Sequence, residues 1–588
     1  MGYSPHSPVI SAKYDWVLRS SALHVPSTSD EVLSLLLRLR GVSEEQQASF
    51  LAPVYEDALH HPSTLPDFPA AVERILHARD RGESVAIFGD YDVDGVTASA
   101  VLADAFRLLG LSPRVLLPHR EEDGYGLSVD AVRELIPPAT LLVTVDNGTS
   151  AHEAVREAKT RGADVIIIDH HTVQGTVPPG ALVVNPARPG HAYPFSRLSA
   201  VGLAFKLARE LLITVGRGGE EKWLLDLVAL GTLADRVPLV GENRGLVQWG
   251  LRVLREGRRM GLATLASHAR VSLPVCDAHA VSFQLVPRLN AAGRMRHADL
   301  ALRLLTTHDP TEAGTLAEML EQINKERRTL TDRVVKDIQE TLIRSVPLPD
   351  MLCVSGPWPA GVLGILAGRL AEEIGRPAVV IGVGETTCVA SVRGNRTVNV
   401  VDLVAEIASS LTKFGGHAEA AGFSFPLAAL PDVERYFATL KFLASSPPQA
   451  PLPIDCPLKP GLVTSDVARQ LRVLEPHGEG NECPVFVVED LHVADVRPIG
   501  STGEHQRFFL SHPSLHGETV AAVAFRWNGR PVPGRGDRID VATEVWVDRY
   551  HHREQVDLHL RDLQTHEESK EANAGVSWSR KAHGRGAP

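Results

Sequence analysis

The sequence predicts an α/β protein in which a parallel-sheet domain, a long connecting helix, a second and smaller α/β domain and a small β-barrel follow one another. Three observations predict this class. Continuous apolar runs alternate with helical stretches at about 84–300 and again at 349–445, which is typical of parallel strands buried on both faces. The stretch 311–345 lacks proline and repeats apolar residues at helical spacing. Short alternating segments from about 455 onward indicate a barrel.

Length and composition limit the function classes. At 588 residues the chain has room for roughly four domains of ~150 residues, and 44% hydrophobic and 22% charged residues exclude disorder of the whole chain. No apolar run approaches the ~18 residues of a membrane span, and the first residues lack a signal-peptide pattern, so we expect a cytoplasmic protein. Five widely spaced cysteines argue against a disulfide framework and a structural zinc site.

The net charge of −11 excludes a protein that coats DNA by bulk attraction. It does not exclude nucleic acid as a partner, because acidic residues gathered at metals can hide a basic groove. The divisions that we expect are an N-terminal helical segment at 1–65, the parallel-sheet domain at 66–305, the connecting helix at 306–346, the second α/β domain at 347–446, a Pro-rich linker, the barrel at 452–565 and a disordered tail at 566–588.

The elements follow from local patterns taken in order. In the N-terminal segment, SDEVLSLLLRLRG predicts a helix that begins at Ser29 and Asp30 and stops at Gly41. In the first block the strands are SVAIFG, PRVLLP, TLLVTV, DVIIID and ALVVNP, and the helices include TASAVLADAFRLLG and SAHEAVREAKTRG. In the second block MLCVSG and AVVIGV read as strands, and VLGILAGRLAEEIG and VVDLVAEIASSL as helices.

Three strands of the first block run into acidic motifs. These are Asp90-Tyr91-Asp92-Val93-Asp94-Gly95, Asp146-Asn147-Gly148 and Asp169-His170-His171. The carboxyl ends of parallel strands open onto one crevice, so five carboxylates and two imidazoles meet in a small volume. Such carboxylates repel one another unless a cation holds them together, and oxygen ligands with one or two imidazoles suit Mn²⁺ or Mg²⁺. Asp235, which ends an apolar helical run, is a fourth candidate.

Two simpler interpretations compete with a metal site. Each acid alone is typical of a helix N-cap or a turn, and Asp235 alone of a solvated helix end. DYDVDG also matches the beginning of a calcium-binding EF-hand loop, but its twelfth position is Val101 instead of Glu, and the segment follows a strand.

The motifs GDYDVDG, VDNG, DHH and GTLAD, in this order, resemble those of the DHH phosphoesterase superfamily. RLNAAGRM at 288–295, SVRG at 391–394 and FGGHAEAAG at 414–422 resemble the RecJ single-stranded-DNA exonuclease family in particular. EPHGEGNECPVF at 475–486 resembles the start of the RecJ oligonucleotide-binding (OB) domain. The resemblance covers roughly 30–565 and implies a DHH-type domain, a connecting helix, a DHH-associated domain and an OB-like barrel.

The resemblance also implies roles for the acidic motifs. Asp92 and Asp94 would bind one metal each, Asp146 would bridge the two ions, and His170 and Asp235 would complete the second site. Relatives carry a His where this chain has Phe88, so we expect Asp90 to take over at the first metal. His171 would face the scissile phosphate, and Asp169 would orient a histidine. Two such ions can promote an in-line phosphoryl displacement.

Further residues are expected to hold the substrate. Arg288, Asn290 and Arg294 would line the channel from a loop of small residues, whereas Ser391 and Arg393 on a strand and the loop Gly415-Gly416-His417 would grip phosphate. Trp358-Pro359 stands where relatives often have Trp-His, so a contact by that histidine is not expected here. The aromatic residues of the barrel are Phe508, Phe509, Phe525, Trp527 and Trp546. Aromatic rings can stack on bases without reading sequence, and alternation assigns about half of these five to the core.

The resemblance implies a two-metal 5′→3′ exonuclease that degrades single-stranded DNA to mononucleotides in DNA repair and recombination. A single-strand-binding protein and a helicase are the partners that the family implies. Two alternatives stay open: a DHH phosphodiesterase that acts on short RNAs or cyclic dinucleotides, and a catalytically inactive replication scaffold. The first does not need a C-terminal barrel, and the second would have lost metal acids that this chain retains.

Overall fold

The computed structural model describes residues 10–19, 25–173, 175–343, 349–394, 398–441, 451–500, 503–527, 529–548 and 555–566. The tail beyond 566, which is expected to be disordered, and most of the Pro-rich linker lie outside these residues. The chain divides into two compact units: residues 55–444 with 478–480 form one, and residues 1–54, 445–477 and 481–588 form the other. Among the described residues no helix is long and apolar enough to cross a membrane.

The strands over the described residues are β1 (Asp15–Leu18), β2 (Val85–Phe88), β3 (Arg114–Leu116), β4 (Leu141–Val145), β5 (Asp164–Ile168), β6 (Ala181–Val184), β7 (Leu352–Gly356), β8 (Ala378–Val383), β9 (Thr387–Arg393), β10 (Lys413–His417), β11 (Ala420–Pro426), β12 (Pro451–Ile454), β13 (Cys456–Pro457), β14 (Phe486–Ile499), β15 (His505–Ser511), β16 (Thr519–Ala524), β17 (Arg538–Asp548) and β18 (Gln555–Thr565).

The helices over the same residues are α1 (Ser29–Leu39), α2 (Glu44–Leu51), α3 (Phe68–Arg81), α4 (Val93–Leu108), α5 (Val129–Leu135), α6 (His152–Thr160), α7 (Ala200–Thr214), α8 (Leu225–Asp235), α9 (Gly241–Arg255), α10 (Met260–His268), α11 (Ala278–Ala280), α12 (Val286–Met295), α13 (Asp299–Thr306), α14 (Pro310–Ile343), α15 (Ala360–Ile374), α16 (Val400–Glu406), α17 (Leu430–Thr439) and α18 (Ser465–Leu471).

The first α/β domain contains a five-stranded parallel sheet in the order β3-β2-β4-β5-β6. Its strands are apolar at successive positions because both faces are covered. Ile87 and Ile166 contribute to one core, and Phe88 and Ile167 contribute to the other. The predicted parallel sheet is confirmed, and its order brings the carboxyl ends of β2, β4 and β5 side by side.

The connecting helix α14 is 34 residues long, or about 50 Å at ~1.5 Å per residue. Proline at its first position has no backbone N–H to leave unpaired. The helix packs against α10 and α12 of the first domain and against α15 of the second. In the second domain the sheet order is β10-β11-β9-β8-β7, with β7 and β8 parallel and the other pairs antiparallel.

The C-terminal strands form a barrel. The sheet runs β14-β15-β16-β18-β17, and β17 pairs again with β14, which closes it. Inward side chains such as Phe508, Leu510 and Leu558 are buried and alternate with less buried outward ones. The predicted OB-like barrel is confirmed.

The N-terminal segment contains a strand in addition to the short helical segments that the sequence predicts. After the described residues begin at Ile10, β1 pairs in parallel with β12, and β12 occupies part of the stretch that the prolines suggested was linker. The indole of Trp16 donates to Asp562 in β18 at 2.9 Å. This unit is therefore built from both ends of the chain, whereas α1 begins at Ser29 as predicted, with Thr28 as its N-cap.

Candidate metal centre and phosphate-binding residues

The first acidic motif turns sharply from β2 into α4. Asp92 is the N-cap of α4, where its carboxylate accepts the backbone N–H of Gly95 at 3.1 Å. Gly95 packs directly on Asp90, since a Cβ at this glycine would lie 2.6 Å from the Asp90 nitrogen. The close contact holds Asp90, which is 2% exposed, beside the helix N-terminus.

Asp94 is anchored by two other helices. Its two carboxylate oxygens accept the backbone N–H groups of Ala200 at 2.7 Å and Val201 at 3.0 Å, at the N-terminus of α7. Gly231 lets α8 approach the same carboxylate, because a Cβ there would lie 2.9 Å from Asp94 Oδ1 and would overlap Thr97. These contacts fix the orientation of Asp94 and bring the end of α8, with Asp235, to the cluster.

The remaining acids and His170 converge on one point. Asp146 has a left-handed backbone, with φ of 64°, which turns its side chain at the end of β4. His170 Nε2 lies 3.2 Å from Asp146 Oδ1, 3.7 Å from Asp235 Oδ2 and 3.9 Å from Asp94 Oδ2. Yet none of these approaches is a hydrogen bond, and within the described residues Nε2 has no hydrogen-bond partner.

The candidate ligand atoms fall into three overlapping groups, and the members of each lie within 4.8 Å of one another. One group is Asp90, Asp92 and Asp146; the second is Asp94, His170 and Asp235; the third is Asp146, His170 and His171. The structure therefore brings together every residue that the sequence proposes as a metal ligand.

The electrostatics of the cluster favour a bound cation. Burial and the neighbouring carboxylate of Asp92 raise the pKa of Asp90 to about 7. Burial and nearby carboxylates likewise hold the pKa values of Asp94 and Asp146 well above their usual range. Asp90 Oδ1 is buried and, like His170 Nε2, has no hydrogen-bond partner among the described residues. Oxygen ligands with one imidazole and unpaired buried lone pairs fit divalent cations.

Asp169 supports the histidines from behind. It accepts the Nδ1–H of His171 at 2.8 Å and the backbone N–H of Thr149 at 3.1 Å. Burial alone would raise its pKa, but the hydrogen bond from His171 and the charge of that ring hold the pKa below its usual value. Burial lowers the pKa of His171, yet the Asp169 hydrogen bond and charge outweigh it and raise that pKa to about 9. The side chain of His171 is 49% exposed, so its ring faces the open side of the cluster.

Sequence reasoning missed two residues at this centre. Tyr125, from the loop after β3, donates to the Asp146 carbonyl at 3.2 Å and lies 3.3 Å from the ring nitrogens of His171. Arg120, from the same loop, covers the ring of Tyr91 at 3.8 Å and donates to the Gly293 carbonyl. Their segment, HREEDGYG, shows no apolar periodicity. The one feature of the sequence that could have pointed to them is the presence of Arg and Tyr together in a glycine-containing loop.

The RLNAAGRM segment is not the loop that we expected. It lies in α12, where Gly293 packs against the Tyr91 carbonyl. Arg288 is engaged by Glu321 of α14, with one contact at 3.3 Å, so it ties two helices together and is not available for the substrate. Asn290 is half-buried on the same helix. Small residues here serve close helix packing, which their sequence pattern does not distinguish from a loop.

Arg294 is placed near the cluster. Burial, together with the charges of Arg120 and Arg327, lowers its pKa to about 10. The carboxylate of Asp92 acts in the opposite direction. The Arg294 guanidinium donates to the Gly361 carbonyl at 3.0 Å, at the N-terminus of α15. Beside this contact, the first backbone N–H of α15, at Ala360, donates to Glu121 at 3.1 Å. The two α/β domains therefore meet close to the metal centre.

In the second domain Arg393 and Ser391 lie on β9, as predicted. The Arg393 guanidinium lies along α15 beside Gly364, where an added Cβ would be 3.2 Å from Nη2. Burial lowers its pKa, and among the described residues it makes no ion pair. Gly415, Gly416 and His417 are not a loop but part of the exposed edge strand β10. Gly416 has φ of 149°, and a Cβ would collide with the Ala420 carbonyl, which explains the glycine without a turn.

Comparison with known proteins identifies the parts of the chain. The DHH family N-terminal domain matches residues 84–232, the DHHA1 domain matches 351–440 and the RecJ OB domain matches 454–562. The first of these contains β2, β4 and β5 with the acids that follow them. A parallel sheet with these acids at its strand ends defines the class as DHH phosphoesterase, so the resemblance seen in the motifs is confirmed.

Similar proteins span most of the chain. The single-stranded-DNA-specific exonuclease RecJ of Bacillus subtilis is 32% identical over 90% of this chain and 67% of its own length, and that of Escherichia coli is 36% identical over 80% and 85%. Crystal structures of Thermus thermophilus RecJ in complex with Mn²⁺ and with Mg²⁺ have TM-scores of 0.77 and 0.71 at 29% and 28% identity. Each match covers 94% of this chain. It covers 80% of the solved chain in the Mn²⁺ complex and 78% in the Mg²⁺ complex. The chain belongs to the RecJ exonuclease family.

Proposed function

We propose that this protein is a metal-dependent exonuclease that degrades single-stranded DNA from its 5′ end to mononucleotides. The observation that carries the proposal is the convergence of five buried or half-buried aspartates and His170 in overlapping groups, within each of which the ligand atoms lie within 4.8 Å of one another, in a chain that belongs to the RecJ family. The 5′→3′ direction and the preference for DNA rest on the family.

We assign the ligands from the groups that the distances define. Asp90 and Asp92 would hold one cation, Asp94, His170 and Asp235 would hold the other, and Asp146 lies where it could serve both. Mn²⁺ and Mg²⁺ are the candidates, since both are present in the solved Thermus RecJ structures. Two such cations would supply the charge that stabilises the attacking and leaving oxygens in phosphoryl transfer.

The protein's own groups orient the reaction. Asp169 holds the ring of His171 through Nδ1, which leaves the exposed edge of the ring for a phosphate oxygen of the scissile bond. Tyr125 fixes the Asp146 carbonyl and so supports the left-handed turn that aims the shared carboxylate. Each group therefore reduces the freedom of a residue that contacts the substrate or a cation.

Guanidinium groups extend from the cluster toward the second domain. Arg294 contacts Gly361 of α15, and one turn further along this helix Gly364 faces Arg393. Two half-buried arginines that lack an acidic partner within the described residues suit phosphate, which accepts bidentate hydrogen bonds. We assign Arg294, Ser391 and Arg393 to the DNA backbone and keep Asn290, Gly415, Gly416 and His417 as candidate contacts; Arg288 is withdrawn because Glu321 engages it.

The partners and the location follow from the family in the same way. We propose single-stranded DNA as the substrate, and a cytoplasmic protein that works with a single-strand-binding protein and a helicase. Co-purification of the tagged protein with either partner from its own cells, repeated after nuclease treatment, tests the protein partners.

One experiment tests the function. Single strands labelled at the 5′ or the 3′ end, duplexes and short RNAs are incubated with the protein and Mn²⁺ or Mg²⁺. Asp130→Asn serves as the control for a change of charge outside the metal cluster, because Asp130 is an exposed aspartate whose side chain is 90% accessible. We expect labelled mononucleotide at once from the 5′-labelled strand only. Release from the 3′ end would contradict the direction, and preferential cleavage of short RNAs would favour the DHH phosphodiesterase alternative.

A further inference from the structure

A buried asparagine lies behind the turn that carries the two histidines. Asn185 follows directly on the edge strand β6 and is 0% exposed. Its side-chain oxygen accepts the backbone N–H of Ala187 at 2.7 Å, which is the usual bond of an asparagine in a tight turn. That bond needs only an acceptor. The NH₂ group of the same side chain is buried as well, and its burial is unfavourable unless it finds acceptors of its own.

The NH₂ group of Asn185 donates two hydrogen bonds. One goes to the backbone carbonyl of His171, after β5, at 2.9 Å, and the other goes to Oγ1 of Thr149, after β4, at 3.1 Å. Because β5 stands between β4 and β6 in the sheet, the bond between Asn185 and Thr149 spans the carboxyl end of β5. The reverse orientation of the amide would place NH₂ against the N–H of Ala187 and the oxygen against the His171 carbonyl, so these bonds determine how the side chain points.

The same bonds close a circuit around Asp169. The backbone N–H of Thr149 donates to Oδ2 of Asp169 at 3.1 Å. The backbone N–H of His171 and its Nδ1–H donate to Oδ1 of Asp169 at 3.2 and 2.8 Å. Asn185 joins Thr149 to His171 on the other side, so four residues from the ends of three strands hold one another in place. Since Thr149, Asp169 and Asn185 are buried, each bond gains from a low local dielectric.

His171 is the exposed member of the circuit. Asp169 holds its backbone N–H and its ring, whereas Asn185 holds its backbone carbonyl. The peptide group on each side of the His171 Cα is therefore fixed, and with it the direction in which the ring leaves the chain. Such control matters for catalysis, because a misplacement of about 1 Å can lower a rate ~100-fold.

We propose that Asn185, supported by Thr149, is a positioning residue for phosphodiester cleavage that acts through His171. The proposal rests on the proposed function, in which His171 faces the scissile phosphate, and deepens it. Asn185 is buried and does not reach the substrate, so its replacement should slow the cleavage step and leave the affinity for DNA unchanged. A residue that only supports the fold would lower the melting temperature and leave the rate of the folded protein unchanged.

Cleavage is measured on the full chain in Mn²⁺, with protein in excess over a 5′-labelled oligothymidylate, and Kd is measured in EDTA. We expect Asn185→Ala to slow cleavage about 10- to 100-fold, the usual effect of losing a residue that orients a functional group, with Kd unchanged. Thr149→Val removes only a hydroxyl and should slow cleavage about 2- to 10-fold, whereas Thr149→Ser keeps the hydroxyl and should restore the rate. The control Thr543→Val removes a buried hydroxyl in the barrel unit, where Thr543 Oγ1 donates to the Glu544 carbonyl, and should cleave like the wild type.

A double-mutant cycle separates positioning from general damage. If Asn185 acts through His171, Asn185→Ala should slow cleavage less than about 2-fold further in a chain that already carries His171→Ala. An equal loss in both backgrounds would overturn the proposal, and so would a wild-type rate in folded Asn185→Ala. If melting curves show that Asn185→Ala does not fold, the Thr149 pair decides: equal rates of Thr149→Val and Thr149→Ser would overturn the proposal.

Failure of the positioning role and failure of the proposed function give different results. A wild type that cleaves single strands from the 5′ end, with variants that cleave equally well, would refute the role of Asn185 alone. A wild type that binds the oligothymidylate but releases no mononucleotide in Mn²⁺ or Mg²⁺ would refute the proposed function, and the positioning role would fall with it.

Discussion

Replacement of Asp146 by asparagine separates the two effects of the shared carboxylate. Asparagine keeps the shape of the side chain and tolerates the left-handed backbone at φ of 64°, whereas alanine would add backbone strain. The substitution removes one negative charge from a buried cluster in which the pKa of Asp146 is raised by burial and by Asp92, Asp94 and Asp90. We therefore expect a protein that loses activity without losing stability.

The magnitudes follow from the position of Asp146 in two of the three ligand groups. A shared ligand affects both cations, so we expect turnover to fall at least 100-fold, or ~2.7 kcal/mol of transition-state stabilisation. A cation at 100 times its Kd adds ~2.7 kcal/mol to the free energy of unfolding per site. For a unit of about 390 residues that corresponds to roughly 3 °C in melting temperature.

The assay pairs single-turnover cleavage with thermal melts in EDTA and in Mn²⁺. In EDTA, Asp146→Asn should melt at or above the wild-type temperature, because repulsion is relieved. In Mn²⁺ the increase seen for the wild type should shrink, while Asp130→Asn should behave like the wild type in every condition. Turnover above about a tenth of wild type, ~1.4 kcal/mol, or an undiminished Mn²⁺ shift would refute the shared-ligand assignment.

Three further predictions test other parts of the molecule. Gly231→Ala should lower the free energy of unfolding by ~1–3 kcal/mol through overpacking against Thr97 and Asp94. Its control is Gly314→Ala, where the space is open, and this change should stabilise α14 by ~0.5–1 kcal/mol. Equal melting temperatures of the two variants would contradict the close approach of α8 at Gly231. Arg393→Ala should lower cleavage at limiting substrate by ~10- to 100-fold, as expected for a lost charge-assisted hydrogen bond, and His417→Ala should lower it too; wild-type rates in both would exclude these residues from the DNA path. A chain restricted to residues 55–444 should keep a near-normal kcat with a raised KM and a shallower salt dependence, and an equal loss in kcat would mean that the barrel unit completes the active site.

The metal centre was predictable because it depends on local patterns and one topological rule. Apolar runs identify β2, β4 and β5, and parallel strands bring their carboxyl ends together. Asp235 was accessible in the same way, as the polar end of the apolar helix α8. The contacts that hold the cluster in place could not be predicted from the sequence. The backbone of Ala200 and the packing of Gly231 hold Asp94 through contacts between helices far apart in sequence.

The wrong predictions share a cause. Glycine and alanine in RLNAAGRM and in the GGH segment suggested loops, but they permit close packing of α12 and of the edge strand β10. The pairing of β1 with β12 joins segments that lie 436 residues apart, from Asp15 to Pro451, and four-residue strands carry too little pattern to reveal a distant partner. Long-range contacts of this kind lie outside what periodicity reports.

The junction of both chain ends in the barrel unit has a consequence for synthesis. Ile10 and its hydrogen-bond partner Thr565 are 555 residues apart, so at ~5–20 residues per second the ribosome needs roughly 30–110 s to supply the second after the first. The unit at 55–444 can complete its sheets during this interval, while Trp16 and the apolar face of α1 must wait without their partners. A chain released before β18 is made therefore exposes apolar N-terminal surface, which is the feature that chaperones and proteases recognise. The contacts of Ile10 and Trp16 with β18 therefore form only after the rest of the barrel has been translated.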